Sequence, residues 1–109
     1  MPRFEEWHSP LAGISRKIFP PGKSIMSMMI KLDEGAIGPA HSHPHEQLTF
    51  VISGKIAMIM NGETTVVGAS EQIFVPGDVV HEVHALEDTV VVETFTPLRE
   101  DLLATITEE

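Results

Sequence analysis

The apolar positions of the chain fall in short runs, separated at close and even intervals by turn residues. Eight runs read as strands: Ile14–Phe19, Ser24–Leu32, Gln47–Ile52, Lys55–Met60, Thr64–Val67, Gln72–Val75, His81–Ala85 and Thr89–Phe95. They are rich in Ile, Val, Thr, Phe and Met, most of which suit a pleated, half-buried surface. The breaks are Pro20-Pro21-Gly22, Gly35 to Pro39, Ser53-Gly54, Asn61-Gly62, Pro76-Gly77-Asp78 and Glu87-Asp88. Asn61-Gly62 is the sharpest, because both residues tolerate positive φ, and it predicts a tight hairpin between Met60 and Glu63. Many short strands at even spacing predict an all-β sandwich or barrel. The pattern changes only after Phe95. Thr96 is placed to cap a short helix, with Pro97 at its first position, Glu100 and Asp101 in its first turn, and Leu98, Leu102 and Ile106 along one face. A packed tail closing the barrel end fits the same residues.

Composition narrows the functional classes. The 109 residues suffice for one core, and the expectation is one domain over 1–109. With no cysteine, neither a disulfide framework nor a thiolate metal site can form. A reducing, cytoplasmic setting fits that composition. The N-terminal residues lack the apolar run of a secretory leader, and no stretch approaches the roughly 20 apolar residues of a membrane span. The formal charge is −9 with seven Lys and Arg, too few cations for a broad nucleic-acid surface. A small anionic substrate would therefore need a local cation to offset the global field. Met26, Met28, Met29, Met58 and Met60 read as core filling rather than as soft-metal ligands.

The candidate chemistry lies with histidine. Four of the six His sit in two short segments, around His41-Ser42-His43-Pro44-His45 and at His81. On a strand His41 and His43 would point the same way, as a ready pair of metal ligands, and Gln47 shares their parity. His81 follows the Pro76-Gly77-Asp78 turn and could supply a ligand from a distant strand. Spacing alone leaves His45 and His84 as rivals. In the last strand Val91, Glu93 and Phe95 share one face, which could be solvent-exposed or could line a cavity.

The spacing Gly35, five residues, His41-Ser42-His43, three residues, Gln47, six residues, Gly54 resembles the first cupin motif, with Gln47 where that family usually has Glu. Pro76-Gly77-Asp78-Val79-Val80-His81 resembles the second, with Ser70 and Asp78 where Gly is usual. The resemblance implies an all-β, single-domain cupin, a double-stranded β-helix or jelly-roll barrel. It also implies a metal held by His41, His43, Gln47 and His81, and leaves His45 and His84 without a ligand role. Nearly the whole chain is similar to the small single cupins of the pectin-degradation KdgF family, through His41 to Gln47, His84 to Asp88 and Phe95 to Asp101. That similarity implies conversion of 4,5-unsaturated uronates to linear 5-keto-4-deoxyuronates. It places Glu93, Phe95 and Arg99 as catalytic residues, Glu93 standing where the family has Asp and Arg99 set to fork to the substrate carboxylate. The metal would be one divalent ion among nickel, zinc, manganese, cobalt and iron. The partners implied are a small anionic sugar-like substrate and a second copy of the chain, with the segment around Trp7 at the homodimer contact, and neither nucleic acid nor membrane. The alternatives are a dioxygenase or sugar isomerase on the same barrel, and a small-ligand-binding cupin without enzymatic activity.

Overall fold

A computed structural model describes residues 1–107. The elements in chain order are β1 (His8–Leu11), β2 (Ile14–Ile18), β3 (Met26–Leu32), β4 (Ile37–His41), β5 (Glu46–Ser53), β6 (Lys55–Met60), β7 (Glu63–Gly68), β8 (Gln72–Val75), β9 (His81–Ala85), β10 (Thr89–Thr96) and α1 (Glu100–Leu103). The strands form a six-stranded sheet in the order β1-β2-β3-β10-β5-β8 and a four-stranded sheet in the order β4-β9-β6-β7. All the pairings are antiparallel. This is the all-β cupin architecture expected from the sequence.

Register decides which side chains face inward, because residues directly opposite on antiparallel strands share a face. On the six-stranded sheet one inner row is Arg16–Ile30–Val91–Val51. The next is Ile18–Met28–Glu93–Thr49, and beyond it lies Met26–Phe95–Gln47–Val75. Apolar members of these rows join residues of the other sheet and the C-terminal segment in two buried clusters. Ile14, Leu32, Val51, Ile56 and Val91 fill one end, while Ile18, Met26, Met28, Phe95, Leu102 and Ile106 fill the other. The polar members Arg16, Glu93, Thr49 and Gln47 sit between them.

The Asn61-Gly62 hairpin forms as expected: both residues have positive φ, and Met60 pairs with Glu63. The strands β1 and β4 were not anticipated. Both are sheet edges and carry Pro10 and Pro39, which an edge tolerates because one side of the strand needs no ladder partner. The capping role expected of Thr96 is corrected. Thr96 is still in β10, paired with Glu46, so the helix starts only at Glu100, preceded by Arg99. Leu98, Leu102 and Ile106 do pack together on the Ile18–Phe95 cluster.

Candidate metal centre and cavity

His41 ends β4, His81 begins β9, and the two are paired across the four-stranded sheet. His43 lies beyond the strand, so simple strand alternation does not bring it beside His41. A loop contact does: the Asp78 amide donates to the His43 carbonyl at 2.8 Å, and Gly77 lies so close that an added Cβ would meet the Pro44 carbonyl oxygen at 2.5 Å. The second motif thus clamps the first. Ligand atoms of His41, His43 and His81 lie within 4.8 Å of one another.

Each imidazole is oriented by a neighbour. The Nδ1–H of His41 donates to the Pro39 carbonyl and that of His81 to the Val79 carbonyl, both at 2.9 Å, which turns each Nε2 toward the cluster. The Nε2 of His81 is buried without a partner. The Nε2 of His43 and Oε1 of Gln47 are 2.9 Å apart. Two ligands at right angles on one transition-metal ion are about 3 Å apart, so this pair and the orphaned His81 nitrogen fit a metal centre. Burial is the main influence holding the His43 and His81 imidazoles below the usual histidine range, with Arg99 and the neighbouring imidazoles adding to it. Both are therefore neutral at neutral pH, the state a metal needs.

Behind the histidine cluster is a second layer. The amide nitrogen of Gln47 donates to Thr49 Oγ1 at 2.9 Å and to Glu93 Oε2 at 3.1 Å, leaving Oε1 aimed at the histidines. Thr49 also donates to Glu93, at 3.4 Å. Protein surrounds the Glu93 carboxyl except where it borders the cavity. Burial pushes it up to about 7, against the opposing pull of Arg99 and the Thr49 hydroxyl. Glu93 is therefore inward, not on a solvent face. Phe95 is buried, edge-on to His43 with ring centroids 5.8 Å apart, and backs the wall rather than facing the void.

Arg99 is buried, with its guanidinium 4.9 Å from the Phe95 ring centre. Asp101 grips it through two bonds, Nε to Oδ1 at 2.9 Å and Nη2 to Oδ2 at 2.7 Å. That grip draws the Asp101 carboxyl down to about 2. The remaining N–H groups of Arg99 are left for the cavity it lines. The cavity measures ≈ 200 Å³ and runs from His41, Gln47 and His81 past Glu93 to Arg16 and Arg99. Of the rival histidines, His45 packs edge-on against His43 with ring centroids 5.5 Å apart, its Nε2 turned to the chain's C-terminal segment, and His84 lies apart. His45 bonds the Leu98 carbonyl at 3.1 Å, and His84 pairs with Glu82 on the outer face.

Arg16 and Thr49 are polar cavity-lining side chains that motif spacing does not mark. Arg16 had a visible signal: it shares strand parity with Ile14 and Ile18, so a charge stands on an apolar, inward face.

Comparison with known proteins agrees with this geometry. The cupin domain family model matches residues 28–96. Pectin degradation protein KdgF of Dickeya dadantii is 30% identical over 99 residues, covering 89% of this chain and 90% of that protein. The solved structure of KdgF from Halomonas sp. superposes with a TM-score of 0.84 at 31% identity, covering 90% of this chain and 93% of the other. An RmlC-like cupin from Shewanella frigidimarina gives 0.83 at 30% identity, with 89% and 87% covered. With the two motifs, the paired histidines and the double sheet in agreement, this chain belongs to the cupin family, among the small cupins related to KdgF.

Proposed function

We propose that this chain is a metal-dependent cupin enzyme acting on a small sugar acid, and that it converts 4,5-unsaturated uronates to linear 5-keto-4-deoxyuronates. The observation that carries the reading is the Glu93 carboxyl, bonded to the amide of Gln47 at 3.1 Å on the wall of the same cavity. It joins a proton-transfer group to a ligand cluster in a chain alignable with KdgF over nine tenths of its length. His41, His43, Gln47 and His81 would hold one divalent ion of nickel, zinc, manganese, cobalt or iron. Such an ion supplies Lewis acidity, which these four neutral ligands leave uncompensated.

The reaction is an isomerisation. The anomeric hydroxyl loses its proton as the bond from C1 to the ring oxygen breaks. The ring oxygen becomes an enol oxygen, and a proton reaches C4 as the C5 ketone forms. A carboxyl held up to about 7 is suited to give and accept protons at neutral pH, and Glu93 has that role. Arg99, fixed by Asp101 and stacked on Phe95, offers its free N–H groups to substrate oxygens. Phe95 holds the His43 and Arg99 side of the wall and excludes water. We place the whole chain in one cupin domain, working as a homodimer in the cytoplasm.

The test follows fresh unsaturated uronate from a pectate or alginate lyase by loss of its conjugated ultraviolet absorbance. Metal-loaded protein should accelerate the loss over the spontaneous rate, and metal-stripped protein should not. Glu93→Gln should lower turnover by about 10²-fold or more, a typical effect of removing a proton-transfer group. Arg99→Ala should act mainly on KM. No acceleration with metal demonstrably bound removes the uronate reading, and oxygen uptake by the iron-loaded protein would then favour a dioxygenase.

A further inference from the structure

Arg16 is the charged cavity residue to which the reaction above gives no role. It lies on the inner row with Ile30 and Val91, between the buried Ile14 and Ile18 of its own strand. Its Nε donates to Nε2 of His8 at 3.0 Å, and His8 is positioned in turn by a long 3.5 Å contact from Nδ1 to the Glu6 carbonyl. His8 accepts through the lone pair of that nitrogen and brings no negative charge, so it orients the guanidinium without cancelling its charge. Among the described residues Arg16 has no ion-pair partner: the salt bridges are Lys55–Glu87, Glu82–His84 and Arg99–Asp101.

A half-buried guanidinium without an anion is costly, and an apolar side chain would pack better between two isoleucines. The surroundings sharpen the point. Burial and the charge of Arg99 both act against Arg16 being protonated, and only Asp101 acts for it. Yet Asp101 is already committed to Arg99 through both its oxygens. The two guanidiniums outnumber the one carboxylate that pairs with them, and Glu93, pushed up to about 7 on the same cavity wall, offsets the remaining charge only in part. An anionic ligand group would supply the missing partner.

We propose that Arg16, oriented by His8, is the carboxylate-reading residue of this cavity. Its two terminal nitrogens receive the carboxylate of a monoanionic sugar acid, while Arg99 contacts other ligand oxygens. The assignment rests on the sugar-acid reading above and names the residue that separates an acid from its neutral counterpart. Arg fits the task because its planar fork matches a carboxylate.

The test compares binding of galacturonate and galacturonamide by calorimetry, with metal-loaded wild type, Arg16→Met and Arg16→Lys. Wild type should prefer the acid by about 10- to 100-fold, the value of one or two charge-assisted hydrogen bonds. Arg16→Met should lose that preference, binding acid and amide alike. Arg16→Lys keeps the charge but not the fork, should fall between them, and decides the matter if the Met variant does not fold. A wild type that shows no preference, or an Arg16→Lys or Arg16→Met protein that keeps all of it, overturns the assignment and leaves the carboxylate to Arg99 or the metal. A preference that disappears with Arg16, in a protein that leaves unsaturated uronate unchanged, upholds Arg16 and removes only the ring-opening reaction.

Discussion

A neutral side chain at position 47 is explained by what stands behind it. The Gln47 nitrogen is 3.1 Å from a Glu93 oxygen. A Glu at 47 would set two carboxylates against each other in a desolvated wall, and one would have to take up a proton. With Gln the amide donates to Glu93 and still presents an oxygen to the histidines. Glu93 itself has a cost that pH reveals. Its folded pKa is raised, from 4.5 to about 7, so the folded state favours the neutral acid. Its stabilising contribution is complete below 4.5 and is lost as pH rises through 7. Glu93→Gln abolishes that titration. In metal-free protein the variant should gain on wild type as pH rises across this window, by on the order of 1–2 kcal/mol once screening by cavity water is allowed for. Thermal unfolding of both proteins at a series of pH values measures the gap, and a gap independent of pH would contradict the raised carboxyl.

At the scale of elements, loops rather than strands complete the centre. Ser70 and Asp78, which stand where the cupin motif usually has Gly, both adopt positive φ, at 68° and 67°. The chain therefore keeps the left-handed turns and bears a local cost for doing so. The turn at Pro76–Asp78 then seats the loop carrying His43. Gly77→Ala would drive a methyl into the Pro44 carbonyl, a backbone atom that can yield only by moving the loop. We expect a loss of about 1–3 kcal/mol in stability, typical of overpacking, and metal affinity weakened by about tenfold or more as His43 shifts. Metal titration beside thermal unfolding would check both, and unchanged metal affinity would show that the clamp does not position His43. Sequence reached these elements unevenly. Interior strands such as β3, β6 and β10 were legible because branched and sulfur-containing residues dominate them between turn signals. The edge strands β1 and β4 were hidden by Pro10 and Pro39, since proline disqualifies a strand only where both sides must pair. The helix start was misplaced because Thr96 has good capping chemistry, while long-range pairing with Glu46 keeps it extended.

For the whole molecule, alternation between faces separates two kinds of information. The inward face carries the candidate chemistry: motif spacing singles out His41, His43, Gln47 and His81, and the fold brings these side chains together. Motif spacing does not reveal the cation at Arg16, because that depends on which strand lies beside which. The outward face of the six-stranded sheet carries a different signal. Leu48 lies opposite Phe74, and Phe50 opposite Val92, so their side chains form one outer patch. Leu48, Phe50 and Phe74 are 39%, 38% and 47% exposed. Trp7, by contrast, already lies on its own sheet, with the ammonium groups of Lys17 and Lys31 5.0 and 4.1 Å from its ring. We place the homodimer proposed above on the Leu48–Phe74 patch, since clustered exposed apolar side chains mark association surfaces. A two-fold contact would bring each patch onto its copy, so one charge introduced there enters the interface twice. Phe74→Lys should halve the mass measured by light scattering while bound metal stays at the wild-type level, because the change lies on the face opposite the ligands. Wild type running at the 12.0 kDa of a single chain would remove the homodimer, and a dimer unaffected by Phe74→Lys would move its contact off this patch.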